Sequence, residues 1–327
     1  MRNRGAALLL LALSIAVSLS AGGAAEPELV ALETSYPLDV VATTGMVGDV
    51  VRQVAGHNGQ VHVLMGEEVD PHLYRPTRAD IARMQRADII FYNGLHLEGR
   101  MGDTLVQLAR RRPVYAITEL VDEAILLDDD EYEGAFDPHL WMDVRLWMKA
   151  VEVVVTALSE LDPAGAEEYR VNADSYVAEL AELDAYVRQI MATIPRGRRV
   201  LVTAHDAFGY FGKAYDIEVI GVQGISTESE AGLEEINSLV AYIVDTGVSA
   251  VFAETTVPDR ALTAVIEGAA ARGQQVRIGG ELFSDAMGPA GSYEGTYVGM
   301  IDHNATTIVR ALGGVAPEGG FRGRLSR

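Results

Sequence analysis

The string Asp-Pro-His-Leu occurs twice in this chain, at residues 70–73 and 137–140. With seven histidines and eleven prolines among 327 residues, that repetition is not expected by chance. Proline restricts both its own backbone and that of the residue before it, so His72 and His139 are each presented from a stiff turn. A third histidine, His205, follows the apolar run Leu201-Val202-Thr203-Ala204, and Asp285 stands in Leu282-Phe283-Ser284-Asp285-Ala286. Three neutral imidazoles and one carboxylate make a good donor set for a divalent transition ion. Imidazole suits zinc, iron and nickel; a carboxylate suits manganese and raises the coordination number above four by binding through both oxygens. A set without sulfur disfavours Cu(I), and three nitrogens disfavour magnesium and calcium, which want oxygen.

These side chains need elements to carry them. Before residue 120, short apolar runs at 39–44, 61–65, 89–92 and 113–117 read as buried strands, and helical patterns fall between them. The alternation restarts at 199–203, 218–222, 249–253 and 275–278. Strand–helix alternation of this kind predicts an α/β protein, with mainly parallel sheets flanked by helices. Between the two blocks, residues 163–194 place apolar side chains at helical spacing, with Asp162 as N-cap, Pro163 in the first turn and Pro195 as the stop. The expected organisation is a leader at 1–25, an N-terminal α/β lobe at 26–162, a linking helix at 163–194 and a C-terminal α/β lobe at 195–327. Ligands of open α/β sheets bind outside the carboxyl ends of the strands. All four candidates stand there, two per lobe, which predicts a site in the cleft between lobes. A single helix as the link predicts a small tilt on loading, not a wide hinge. The order of strands within each sheet cannot be read from the pattern.

Composition narrows the setting. A hydrophobic content of 49% with 22% charged residues is that of a folded globular chain. Basic Met1-Arg2-Asn3-Arg4, an apolar run at 6–19 and small residues at 20–25 read as a secretory signal peptide cleaved near Ala25. The competing reading, a retained anchor, meets an apolar run short of the roughly 20 residues a span requires. There is no cysteine, so an exported form is expected without disulfides, thiolate ligands or a lipidated cysteine. That predicts a monomer free in the periplasm with no membrane anchor. The formal charge of −21 argues against nucleic acid or anionic lipid as partner.

With these residues in view, the chain resembles the metal-ion-binding solute receptors of ABC importers, the zinc/manganese cluster that sometimes handles iron. The likeness covers essentially the whole chain after the leader. It is carried by Asp70-Pro-His-Leu-Tyr-Arg-Pro-Thr77, Asn93-Gly-Leu-His-Leu-Glu98, Asp137-Pro-His-Leu-Trp-Met-Asp143, the long linking helix, His205-Asp-Ala-Phe-Gly-Tyr-Phe211, Phe252-Ala-Glu-Thr255 and Ser284-Asp285. The resemblance implies that His72, His139, His205 and Asp285 are the metal ligands. It also implies Zn2+ or Mn2+, with Fe2+ as a further candidate, as the carried ion, and a cognate ABC permease in the inner membrane as partner. Two departures bear on the ion. Many manganese members have Glu at the third position, where this chain has His205. Dedicated zinc members often carry a His-rich loop before the second ligand, where residues 126–135 here are acidic and lack His. The sequence is thus similar to the treponemal, TroA-like type within this ZnuA-like family.

A binding protein, not an enzyme, follows from a donor set without an open position for a substrate water. The alternative, a secreted zinc-dependent hydrolase, lacks His-Glu-x-x-His and an evident general base beside the ligands. His57, His62, His96 and His303 are expected to be ordinary polar residues. Asp70 and Asp137 are expected to form turns, and either could orient an imidazole; Glu254 stands between that role and plain structural hydrogen bonding. Residues 128–133 read as a solvated acidic loop. The sequon Asn304-Ala305-Thr306 is incidental in a periplasmic protein.

Overall fold

Leu38–Ala42 and Ile89–Tyr92 are apolar runs that become almost wholly buried, as continuous apolar strands do when helices cover both faces of a parallel sheet. A computed structural model describes residues 36–326 apart from 130, 131 and 133. The leader at 1–25 and part of the acidic tract lie outside the described residues. The two runs are strands β1 and β3. With β2 (Gly59–Val63) and β4 (Val114–Ala116) they form a parallel sheet in the order β2-β1-β3-β4. The second sheet repeats this topology. Its strands β5 (Val200–His205), β6 (Glu218–Gln223), β7 (Ala250–Glu254) and β8 (Arg277–Leu282) are ordered β6-β5-β7-β8, again parallel. In each sheet the first strand in sequence lies between the second and the third, so each has a point where the connections diverge, the usual place for a ligand crevice.

Helices fill the connections. Those of the first block are α1 (Gly45–Ala55), α2 (Arg78–Met84), α3 (Gly102–Ala109) and α4 (Val144–Leu161). The long helix is α5 (Ala166–Met191), followed by α6 (Gly209–Tyr215), α7 (Leu233–Thr246), α8 (Arg260–Ala271) and α9 (Tyr297–Ala311). Local sequence starts several of them: Thr44, Asp143 and Thr296 accept from backbone N–H groups of the first turn, and Thr77 with Asp80 completes a capping box. None of the described helices is long and apolar enough to cross a membrane.

At about 1.5 Å per residue α5 is roughly 39 Å long. Its buried stripe runs through Tyr169, Ala173, Tyr176, Leu180, Leu183, Val187, Ile190 and Met191. Polar contacts tie it to both blocks. Tyr176 Oη donates to Asp49 Oδ2 of α1 (3.3 Å), and Tyr186 Oη meets Thr306 Oγ1 of α9 (3.2 Å). Asp184 accepts from Arg145 of α4 (2.8 Å) and from Tyr215 of α6 (3.2 Å). One apolar cluster therefore contains Val40 and Phe91 of the first sheet, Leu201 and Phe252 of the second, and the stripe of α5. The lobes share a core, which opposes large independent motion.

Two boundaries differ from the sequence pattern. Asp162 does not cap the long helix. Its N–H closes α4 on Leu158, and its carboxylate accepts from the hydroxyls of Tyr36 and Tyr169, so the chain turns through 163–165 and α5 begins at Ala166. Strand β8 extends four residues past the apolar run, through Gly279-Gly280-Glu281-Leu282. The glycines are required by close packing. A Cβ on Gly280 would lie 2.4 Å from Thr307 Cγ2 of α9, and one on Gly279 within 2.9 Å of the Phe252 ring.

Because the stripe of α5 serves both lobes, Leu180→Ala should cost the whole molecule about 2–5 kcal/mol. A single cooperative melt shifted downward, followed by circular dichroism, is the expected result. Separate transitions for the two lobes would contradict the shared core.

Candidate metal centre

Two of the three histidines are aimed by a carboxylate close to the ring. His139 lies between β4 and α4, and Asp137 Oδ1 accepts from the His139 backbone N–H (2.9 Å) while standing 2.7 Å from Nδ1 of the same ring. His205 is the last residue of β5, and Glu254 is the last of the neighbouring β7. Glu254 Oε1 accepts from the His205 backbone N–H (2.9 Å), and Oε2 stands 2.6 Å from its Nδ1. A carboxylate at Nδ1 takes the proton-bearing nitrogen and leaves the Nε2 lone pair free to point inward. His72, between β2 and α2, is held differently. Asp70 Oδ1 accepts from its backbone N–H (2.8 Å), which sets the turn but not the ring. Asp285, three residues beyond β8, follows Phe283, whose N–H and C=O are both bonded by the Asn304 amide of α9 (2.9 and 2.7 Å).

The four side chains come together. Their ligand atoms all lie within 4.8 Å of one another. His72 Nε2 and His139 Nε2 are 3.3 Å apart; His139 Nε2 is 3.3 Å from Asp285 Oδ1, and His205 Nε2 is 3.2 Å from Asp285 Oδ2. His72 Nε2 stands farther from that carboxylate, at 3.7 Å. His139 and His205 have no exposed surface, and His72 and Asp285 are buried. His205 Nε2 and both carboxylate oxygens of Asp285 are buried atoms without a hydrogen-bond partner. Buried polar atoms are normally paired, because an unpaired one loses its hydration without recompense. A cation at their common focus would satisfy all of them at once. Three nitrogens and a carboxylate able to offer both oxygens fit a divalent transition ion.

The charges follow the same geometry. Burial pulls His139 down, but the carboxylates of Asp137 and Asp285 outweigh it and lift the ring to about 9. Burial likewise opposes protonation of His205, and Glu254 and Asp285 lift it well above its ordinary value. For Asp285 burial acts upward, yet His205 and His139 hold the carboxyl well below the usual range. His72, farther from the Asp285 carboxylate, is pushed down by burial to about 3 against the pull of that charge. The carboxylates thus favour protonation of His139 and His205, so a cation competes with protons for those rings.

The remaining histidines stay apart from this focus. His57 pairs with Glu168 (3.0 Å) and His62 lies 3.5 Å from Asp39, while His303 Nε2 is 3.0 Å from the Glu281 carbonyl. His96 is exposed on a turn where it and Leu95 adopt positive φ (66° and 51°). That turn explains the Asn93–Glu98 motif. The buried Glu98 carboxylate accepts from Thr43 Oγ1 (2.6 Å), Asn93 N (2.7 Å) and Gly94 N (3.3 Å), and Asn93 Nδ2 then donates to the Pro138 carbonyl (3.0 Å) beside His139. Residues 128 and 136 pair as an antiparallel bridge. Two contributors escaped the sequence reading. Trp141 sits edge-on to the His139 ring (5.1 Å between centroids) and its Nε1 donates to the Ser284 carbonyl (2.9 Å), next to Asp285. Thr227 donates to Asp70 Oδ2 (2.6 Å) from the opposite lobe. No local pattern marks either one, since each matters only for what it meets across the cleft.

Residues 40–311 match the family model described as ZnuA, zinc-uptake complex component A, periplasmic. The chain is 48% identical over 275 residues to the zinc-binding protein TroA of Treponema pallidum, covering 84% of this chain and 88% of that one. It is 42% identical over 275 residues to the manganese-binding lipoprotein MntA of Bacillus subtilis, covering 84% and 90%. The solved structure of the periplasmic zinc-binding protein TroA from Treponema pallidum superposes with a TM-score of 0.82 at 46% identity, over 84% of this chain and 99% of that one.

Two outcomes are expected. Glu254→Gln removes the charge that fixes the His205 ring, and metal affinity should fall about 10–100-fold in a chelator competition titration. The second concerns pH. A group whose pKa is raised in the folded state contributes stability that is complete below its unfolded value and lost as pH rises through the folded one. For His139 that window runs from 6.5 to about 9, and His205 acts in the same direction. The metal-free protein should therefore lose melting temperature between these pH values, while metal affinity rises as the competing protons leave. A metal-free melting midpoint that is flat across the window would contradict the assignment.

Proposed function

We propose that this chain, which belongs to the ZnuA family of periplasmic zinc-uptake components, is a solute-binding receptor that captures one divalent transition metal between its two lobes and delivers it to an ABC importer. The observation that supports this most directly is the convergence of His72, His139, His205 and Asp285, two from each side of the long helix, with buried donor atoms that no other group satisfies. These four are the proposed ligands. Residues 26–162 and 195–327 are the proposed lobes, and 163–194 their link.

Zinc or manganese is the proposed cargo, with ferrous iron as a further candidate. The similar treponemal protein is named for zinc and the similar Bacillus protein for manganese. Sites built from nitrogen and oxygen hold zinc more tightly than manganese whatever the metal supply. Three nitrogens here, with His205 at the third position, add to that preference.

A receptor fits the site better than an enzyme does. The chain supplies four protein donors, and the carboxylates nearest the rings of His139 and His205 are engaged at Nδ1 and not free to act as a general base. A zinc-dependent hydrolase finds no support among the relatives, which are named for metal binding and the family for zinc uptake. The partner is a cognate permease in the inner membrane, and the receptor acts as a monomer. Some relatives are named as lipoproteins. These 327 residues hold no cysteine to carry such a lipid, so a periplasmic receptor released by cleavage near Ala25 is the form proposed.

Elemental analysis of protein purified from its own periplasm, followed by zinc–manganese competition, tests the reading. One equivalent of metal per chain is expected. His139→Ala should reduce affinity by at least about a hundredfold, since it removes a ligand and strands Asp137; unchanged affinity would reject the ligand set.

A further inference from the structure

The turns that carry the two Asp-Pro-His histidines are not held alike. Around His139 the bonds between the two halves of the chain are buried. Tyr210 Oη donates to the Asp137 carbonyl (3.0 Å), Trp141 Nε1 to the Ser284 carbonyl (2.9 Å) and Tyr297 Oη to the Trp141 carbonyl (2.7 Å). The turn of His72 reaches the other half through the segment 224–232, between β6 and α7. Thr227 Oγ1 donates to Asp70 Oδ2 (2.6 Å), while Asp70 Oδ1 accepts from the backbone N–H of His72. One residue on, Glu228 accepts from Arg100 Nε (2.9 Å) at the surface. The other described cross-cleft bond nearby is also exposed, from Ala290 N to Glu67 Oε1 (2.9 Å). Exposed ion pairs of this kind add little. Its own lobe holds the segment at the ends, where Gly224 and Gly232 carbonyls accept from Asp206 and Ile236 and Ala231 packs on the apolar cluster, and through the exposed pair Arg260–Glu230 at 3.9 Å. Between those ends, the hydrogen bond of Thr227 runs across the cleft.

Space lies on both sides of that tie. A cavity of about 440 Å3 has His72, Ser226 and Glu228 in its wall. Another of about 430 Å3 has Asp70, Leu73 and Thr227. Freed from Thr227, the His72 turn has room to swing either way. The first cavity also borders Pro138 of the His139 turn, but that turn is held across the halves by buried bonds.

We propose that segment 224–232 is a latch on the metal site. Through Thr227 and Asp70 it positions the turn of His72, which makes His72 the ligand that leaves first and Thr227 the residue that sets the rate of metal release. The inference rests on the receptor reading above and adds an order to the loss of ligands. Thr227 touches neither the metal nor a ligand ring, so it is a positioning residue. It acts through the carboxylate that shapes the turn. Opening the latch from outside, by a partner that displaces Thr227, would free His72 while His139 and His205 stayed aimed by Asp137 and Glu254.

The test loads wild type, Thr227→Val, Thr227→Ser and Tyr210→Phe with Zn2+ and follows transfer to an excess of chromophoric chelator by stopped flow. Valine keeps the shape of threonine without the hydroxyl. Release from Thr227→Val should be about 10–100-fold faster than from wild type, as expected for loss of a hydrogen bond to a carboxylate that supports a ligand. Serine should restore the slow rate. Metal-free melting should be unchanged in both, which a merely structural role for Thr227 would not allow. Tyr210→Phe, which removes a bond from the His139 side, should accelerate release less than Thr227→Val does. An unaltered rate in Thr227→Val, failure of serine to restore it, or an equal effect of Tyr210→Phe overturns the latch while leaving the receptor intact. Wild type that takes up no zinc at all removes both.

Discussion

The arrangement of this molecule depends on one constraint: donor lone pairs held at close range in a place without water. Three Nε2 atoms and two carboxylate oxygens face a common point, and part of that set has no hydrogen-bond partner. Such a cluster is stable only if something positive occupies it. Asp137, Glu254 and Asp285 favour protonation of His139 and His205, so a metal ion that binds there competes with protons. Capture and release are thereby linked to proton exchange, and the carboxylates behind the rings decide which nitrogen faces the ion.

The rest of the fold brings the donors to that point from opposite sides of the sequence. Each half has the same sheet order, with its first strand between the second and third. Each sends two of the proposed ligands from the carboxyl ends of its strands. Helix α5 contributes no ligand. Its stripe enters one apolar cluster with both sheets, and Asp184 gathers Arg145 and Tyr215 from either side. A cleft between freely hinged lobes would have to organise its ligands at each capture. Here a core shared by both sheets opposes such hinging, and turns and loops carry the candidate ligands.

Among those parts the two related turns have diverged in use. Both begin with an aspartate accepting from the histidine backbone two residues on. Asp137 also holds the ring of its histidine, whereas Asp70 turns its second oxygen to Thr227. One turn is a fixed post and the other is tied to a surface segment. That difference lies in partners, not in the repeated string itself.

Much of the site was legible in the chain. The duplicated Asp-Pro-His-Leu, the apolar run before His205 and the strand preceding Asp285 carry local information, because strand ends and proline turns are set by neighbouring residues. Strand–helix alternation likewise announced two α/β blocks and the helix between them. Local pattern misled at Asp162, where hydroxyls of Tyr36 and Tyr169 take the carboxylate that would have capped the helix. It also stopped short in β8, where two glycines interrupt the apolar run but are needed for α9 to approach. The sequence by itself determined which residue types stand at which strand ends. Only the tertiary structure decided the sheet order, the choice of Glu254 as the support of His205, and the roles of Trp141 and Thr227. Those depend on contacts between residues dozens to more than a hundred positions apart, and no periodicity along a chain records what the fold sets opposite it.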